Sequence, residues 1–271
     1  MNLFRYIRDW GHSGSRAAFY GTISLTLGGI PGRGRSISQW AMHNWCAGSC
    51  DALGIMRDVT NGHLLHQTGQ CVIVANHLST ADIIVLGSVI DTDYRWLAKA
   101  PLFKVPFTGW HLKFAGHVPV YRGEKRGRNA ALAGRIHTVV EEGASLLFFP
   151  EGTRSDSGEL TDFRIGAFMA AVREDLPILP IVLRGTGKLM AKNAPHTNPD
   201  ADLNCGVKFL EPIHPTAGTE DEEDEKRRAE ELRDAVWKAY RQDLYGPDAW
   251  PPGRGPNGTS DEPTGRSDKP E

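Results

Sequence analysis

The chain has 271 residues, 40% of them hydrophobic and 24% charged. That composition belongs to a globular protein able to bury a sizeable core, and the length allows one large domain or two small ones. A formal net charge of -2 gives no reason to expect nucleic acid as a partner.

Residues 1–57 depart from that balance. Arg5, Arg8, Arg16, Arg33, Arg35 and Arg57 stand there against only Asp9 and Asp51. Within this region, residues 17–30 are moderately apolar but diluted by Thr, Ser and Gly. They fall short of the ~20 residues that span a bilayer, and the order of zones in a signal peptide is missing. After Pro31, Ile37, Trp40, Ala41, Trp45, Ala52 and Ile55 recur at helical spacing, which predicts an amphipathic helix over 36–56. An Arg-flanked apolar stretch followed by two Trp suits a segment lying on a membrane. Packing of the Trp face on the main domain is the other reading, and the two are compatible.

From residue 58 onward strand and helix patterns alternate. Strands are predicted at 72–75, 95–99, 117–121, 145–149, 178–183 and 205–210. Helices fall at 82–88, 101–114 (broken), 129–142 and 165–174. This alternation predicts an α/β fold with a mixed, largely parallel sheet flanked by helices, spanning 58–218 and preceded by the N-terminal helical segment. Residues 219–245 read as a charged helix packed on one side through Leu232, Val236 and Tyr240. The Pro-, Gly- and Ser-rich stretch 246–271 reads as a disordered tail.

The four cysteines lack a second ligand pair at zinc spacing, so no metal site is expected. Buried free thiols in a reducing cytosol are the plain reading of Cys46, Cys50, Cys71 and Cys205.

Chemistry concentrates in Asn76-His77-Leu78-Ser79-Thr80-Ala81-Asp82. The β-branched run before it ends a buried strand, and the run after it is helical. Ser79 and Asp82 have the spacing of a capping box, which sets Asp82 in the first helical turn. His77, in the turn before, can fold back so that Asp82 accepts from one ring nitrogen while the other takes a proton. That is the base-and-orienter half of a Ser-His-Asp triad with no serine, so the nucleophile would be the substrate's own alcohol. Taken alone, such a pair is more often a cap or a satisfied surface contact.

A second site follows the strand at 145–149. In Phe148-Phe149-Pro150-Glu151-Gly152-Thr153-Arg154-Ser155, Pro150 stops the ladder and Gly152 permits a sharp turn, exposing Glu151 and Arg154 at a strand end. Arg154 offers a planar fork to phosphate or carboxylate. Arg122 closes another strand ahead of a basic loop at 123–128, which could meet phosphate, anionic lipid or an acidic carrier protein; a solvated loop is the commoner meaning of such a run.

N-H-x4-D in NHLSTAD, the strand ending at Arg122, FPEGTRS, and Leu176-Pro177-Ile178-Leu179-Pro180-Ile181-Val182, in this order over about residues 40–213, resemble the glycerolipid acyltransferase family. More narrowly, they resemble the bacterial 1-acyl-sn-glycerol-3-phosphate acyltransferases. Phe163-Arg164-Ile165-Gly166-Ala167 is similar to that family's F-K-x-G-A with Arg in place of Lys. The resemblance implies that His77 is the general base and Asp82 its orienting partner. Arg122 and Arg154 would hold the acceptor's phosphate, with Glu151, Gly152 and Thr153 around it. Pro180 would lie towards the acyl donor, with Lys99 and Arg164 as charged neighbours.

It implies direct transfer from acyl-CoA or acyl carrier protein to a lysophospholipid hydroxyl, without a cofactor, by a peripheral protein on the cytoplasmic face of the cell membrane. The alternatives are an acyltransferase for another lyso-lipid, such as a lyso-ornithine lipid, and a lipid- or carrier-binding module without chemistry. A serine hydrolase is disfavoured, because no G-x-S-x-G elbow occurs.

Overall fold

The computed structural model describes residues 3–121, 131–155, 158–190, 197–198 and 200–246. Two helices come first, α1 (Leu3–Leu27) and α2 (Gly34–Leu53). Then follow β1 (Met56–Thr60), α3 (His63–Thr68), β2 (Val72–Ala75), α4 (Ala81–Val89) and β3 (Tyr94–Lys99). A 3-10 turn at Ala100–Lys104 leads into α5 (Thr108–Phe114), β4 (Val118–Val120), α6 (Leu132–Glu141) and β5 (Ser145–Phe148). The chain closes with α7 (Gly166–Arg173), β6 (Ile178–Arg184), α8 (Thr186–Leu189), β7 (Asn204–Phe209) and α9 (Glu222–Tyr245).

Among the described residues the strands form one seven-stranded sheet in the order β1-β7-β6-β2-β5-β3-β4. Every pairing is parallel except β6 with β7. The sheet is therefore mixed and largely parallel. Its central strands are buried on both faces, which is why they read as unbroken apolar runs. Alternation along β2 divides the interior. Val72 and Val74 face a core made with α6, α7 and α9, while Ile73 and Ala75 face one made with α2, α3 and α4. All four cysteines are buried and free.

β1 has no counterpart among the predicted strands. It is an edge strand, mostly exposed, carrying Arg57 and Asp58, and so lacks the apolar run that marks a buried one. Parallel pairing with β7 holds it. α1 extends well beyond the 17–30 apolar stretch, whereas α2 lies two to three residues ahead of the helix expected over 36–56 and packs closely on α4. No helix among the described residues is long and apolar enough to cross a membrane. The expected tail, from residue 247 onward, lies outside the described residues.

Candidate active site

β2 and β5 are parallel neighbours with Val74 opposite Phe148. Both chains therefore leave the sheet at the same level, at the carboxyl ends where ligands of open α/β sheets bind. The 76–82 segment and the 149–155 turn meet there. Ser155 N donates to His77 O at 2.9 Å, and the His77 ring stacks on Phe149 with centroids 4.0 Å apart.

Asp82 is fully buried at the start of α4. Its Oδ2 accepts from His77 Nδ1 at 2.8 Å, Leu78 N at 2.7 Å and Ser79 N at 2.8 Å. Three donors and the helix N-terminus offset the cost of burying the carboxylate. The bond to Ser79 N is the half of the capping box that the S-x-x-D spacing predicts. The other half differs: the Ser79 hydroxyl accepts from Ala81 N and donates to Met190 O, and the helix starts at Ala81. The serine thus ties the site to the end of α8.

With Nδ1–H donated to Asp82, Nε2 is the imidazole nitrogen whose lone pair can accept a proton. The side chain of His77 is 16% exposed, so a ligand can reach it.

Glu151 is buried, and its oxygens point inward. Oε1 accepts from His77 N at 2.7 Å, while Oε2 accepts from Thr161 N at 3.1 Å and Thr161 Oγ1 at 2.7 Å. Burial pushes its carboxyl above the ordinary range, and these hydrogen bonds pull the other way. Glu151 therefore clamps the backbone of the base to the 149–155 turn.

Gly152 takes a left-handed φ of 72°, and a Cβ there would lie 2.5 Å from Arg164 Nε. The left-handed turn favours glycine, and a side chain there would also push the exposed Arg164 aside. Arg154 Nη1 donates to Thr80 Oγ1 at 2.8 Å, which brings its guanidinium across the mouth of the site. Arg164 is exposed beside Gly152, and its N donates to Pro150 O. Thr153 is exposed in the same turn. Lys99 ends β3, one strand beyond β5, at the same end of the sheet. Pro180 lies buried inside β6 opposite Val74, a sheet position rather than a rim position. Arg122 lies outside the described residues. Phe149, Thr161 and Thr80 carry contacts that no spacing pattern flagged.

A family model described as Acyltransferase matches residues 56–184. The match takes in both the 76–82 segment and the 149–155 turn. A chloroplastic 1-acyl-sn-glycerol-3-phosphate acyltransferase of Brassica napus is 42% identical over 120 residues, 44% of this chain and 34% of that one. A 1-acyl-sn-glycerol-3-phosphate acyltransferase of Saccharomyces cerevisiae is 32% identical over 178 residues, 65% of this chain and 57% of that one. The matched stretch therefore spans between a third and three fifths of these relatives' length. The crystal structure of the 1-acyl-sn-glycerophosphate acyltransferase PlsC from Thermotoga maritima shares the fold. Its TM-score is 0.69 at 24% identity, over 88% of this chain and 95% of that one. The matched residues begin with β1 and end with β6.

Proposed function

We propose that this protein transfers a fatty acyl group from an acyl thioester, acyl-CoA or acyl carrier protein, to the free hydroxyl of 1-acylglycerol-3-phosphate, giving phosphatidate. The observation that carries this reading is the His77–Asp82 pair at the end of β2, set against the 149–155 turn that carries Arg154.

In the reaction His77 Nε2 takes the proton of the acceptor hydroxyl as its oxygen attacks the thioester carbonyl. Asp82 supports the imidazolium that forms. The tetrahedral intermediate then collapses, the carbon–sulfur bond breaks, and the thiolate recovers the proton from His77. General-base help of this kind contributes roughly 10²–10⁴-fold, and holding two substrates in line supplies much of the rest. Arg154 pairs with the acceptor's phosphate in this reading, with Thr153 beside it and Arg122 the further contact that the resemblance implies. Glu151 acts from behind, through the His77 backbone.

Membrane docking belongs to the same proposal. Phe19 is 62% and Trp40 54% exposed, and Leu102, Val105, Phe107 and Trp110 are exposed as well. Tyr20 bridges Phe19 and Trp40, and Phe107 lies against Gly21 of α1, so α1, α2 and the segment from the 3-10 turn into α5 present these side chains. The 3-10 turn leaves β3 at the site's end of the sheet. An apolar surface there, with arginines on the N-terminal helices, suits a peripheral protein whose lipid acceptor stays in the bilayer.

Release of CoA from acyl-CoA, with and without lysophosphatidate, tests the proposal. Release that depends on lysophosphatidate supports it. Release indifferent to any lyso-lipid, or none with either donor, overturns it. A panel of acceptors, including a lyso-ornithine lipid, decides the head group.

A further inference from the structure

β2 and β6 meet side by side just below the base, with Val74 opposite Pro180 and Ala75 opposite Ile181. A hydroxyl from far along the chain enters this seam. Tyr240 of α9 is fully buried. Its Oη lies 2.7 Å from Val74 O, 3.2 Å from Ile181 N and 2.9 Å from Ile181 O. The hydroxyl accepts from Ile181 N and has one proton to give, and Val74 O is the nearer acceptor. It therefore links main-chain atoms of two adjacent strands at the last turn of the sheet before the catalytic segment.

A second side chain does the same two residues later. Asn76 Oδ1 accepts from Leu183 N at 2.7 Å, and Asn76 Nδ2 donates to Leu183 O at 3.0 Å. The carboxyl end of β2 is thus pinned to β6 on both sides of Ala75, and His77 is the next residue out. The Tyr240 ring also reaches the other support of the base. It meets Phe163 edge to face, with centroids 5.3 Å apart. Phe163 lies two residues from Thr161, which holds Glu151, which accepts from His77 N. Both routes from Tyr240 end on the His77 backbone.

Packing alone does not require this hydroxyl. A phenylalanine would fill the same core position between β2, β6 and Phe163. The oxygen costs desolvation unless it is hydrogen-bonded, and here it is bonded only to strand main chain. We infer that Tyr240 is a positioning residue for the acyl transfer proposed above: its hydroxyl sets the end of β2 against β6 and so aims the His77 imidazole. The inference rests on that functional reading for its kinetic consequence and not for its geometric one. An offset of about 1 Å in a reacting group can cost on the order of 10²-fold in rate, so a small relaxation of this seam is felt at the base.

The test compares Tyr240→Phe with Val236→Ala in the full chain. Val236 is buried on the same helix in the same core, and its truncation is the control for destabilisation without loss of the seam contact. Two readouts are taken well below the melting temperature of each variant. The first is kcat and KM for acyl-CoA and lysophosphatidate. The second is the NMR signal of the His77 imidazole in histidine-labelled protein, assigned by its loss in His77→Gln.

The expected result is that Tyr240→Phe lowers kcat by about tenfold or more, leaves both KM values within about twofold, and shifts the His77 ring signals, while Val236→Ala does none of these. Unchanged His77 signals in Tyr240→Phe, or equal effects of the two substitutions, overturn the inference. A wild-type protein without acyl transfer defeats the functional reading instead, and the ring signals still decide whether Tyr240 positions His77.

Discussion

Asp82 carries more than the imidazole. Its Oδ2 gathers two backbone N–H groups as well as His77 Nδ1, while its Oδ1 is buried without a hydrogen-bond partner. Asn at this position can keep its oxygen on the three donors and place its amide where Oδ1 stood. Asp82→Asn therefore preserves shape and removes charge, so it separates orientation from electrostatics. The loss of kcat should approach that of His77→Ala, about 10²–10⁴-fold, because the imidazolium loses its counter-charge. Circular dichroism should stay native for both. Near-normal turnover in His77→Ala would end the general-base mechanism.

Glu151→Gln acts on the other support. One amide oxygen can still accept from His77 N, but the NH₂ then faces the Thr161 N–H, donor against donor. The cost is about 1–3 kcal/mol of stability, read from urea midpoints. Burial also holds the Glu151 carboxyl above its ordinary range. A folded chain that keeps its proton longer loses that share of stability as pH rises from the ordinary carboxylate range through the raised value, and the glutamine variant should not show this decline.

At the scale of elements, the 149–155 turn and its neighbours make the next prediction. Gly152→Ala forces a left-handed alanine against Arg164, which should cost about 1–3 kcal/mol and displace the turn that carries Arg154. Arg154→Ala leaves the turn in place. It should chiefly raise KM for lysophosphatidate and leave kcat nearly intact. Equal KM for acceptors with and without phosphate would remove Arg154 from the phosphate site.

These elements also show what a sequence can and cannot reveal. β2, β5 and β6 are legible because strands buried on both faces are nearly unbroken apolar runs, and Pro150 and Gly152 mark where β5 ends. The His77–Asp82 contact is legible because five positions across a helix start is a local geometry. β1 is not, since an exposed edge strand is defined by its partner β7, 148 positions away by number. Thr161 and Tyr240 reach the site through tertiary contacts with residues 10 and 166 positions off, and no spacing encodes them.

The whole molecule joins a sheet domain to two N-terminal helices, and the joint is titratable. α5 lies between them. His111 Nδ1 is 2.9 Å from Ser24 Oγ of α1, and His117, just past the end of α5, accepts at Nδ1 from Trp96 N of β3. Burial pulls His111 down to about 4 from the ordinary 6.5, and burial, with His111 and Arg95 nearby, also pulls His117 well below its ordinary value. Both are neutral in the folded chain at pH 6, whereas the unfolded chain has begun to protonate them. Through these two groups the unfolded state binds more protons across this window, so their contribution to stability rises with pH and is lost as pH falls from about 6.5 towards 4.

His111 alone accounts for roughly 3 kcal/mol over the full window. Urea midpoints at pH 7 and pH 5 should differ accordingly. His111→Asn, which cannot titrate, should flatten the slope and leave the share that belongs to His117. An unchanged slope would place the acid sensitivity elsewhere. Because His111 holds α1, the first consequence of acid should be loosening of α1, seen as weaker flotation with anionic vesicles before the sheet melts. Phe19→Glu with Trp40→Glu should weaken flotation at pH 7 with the urea midpoint unchanged, since both side chains are more than half exposed. If flotation survives that double substitution, the apolar face is not the membrane contact.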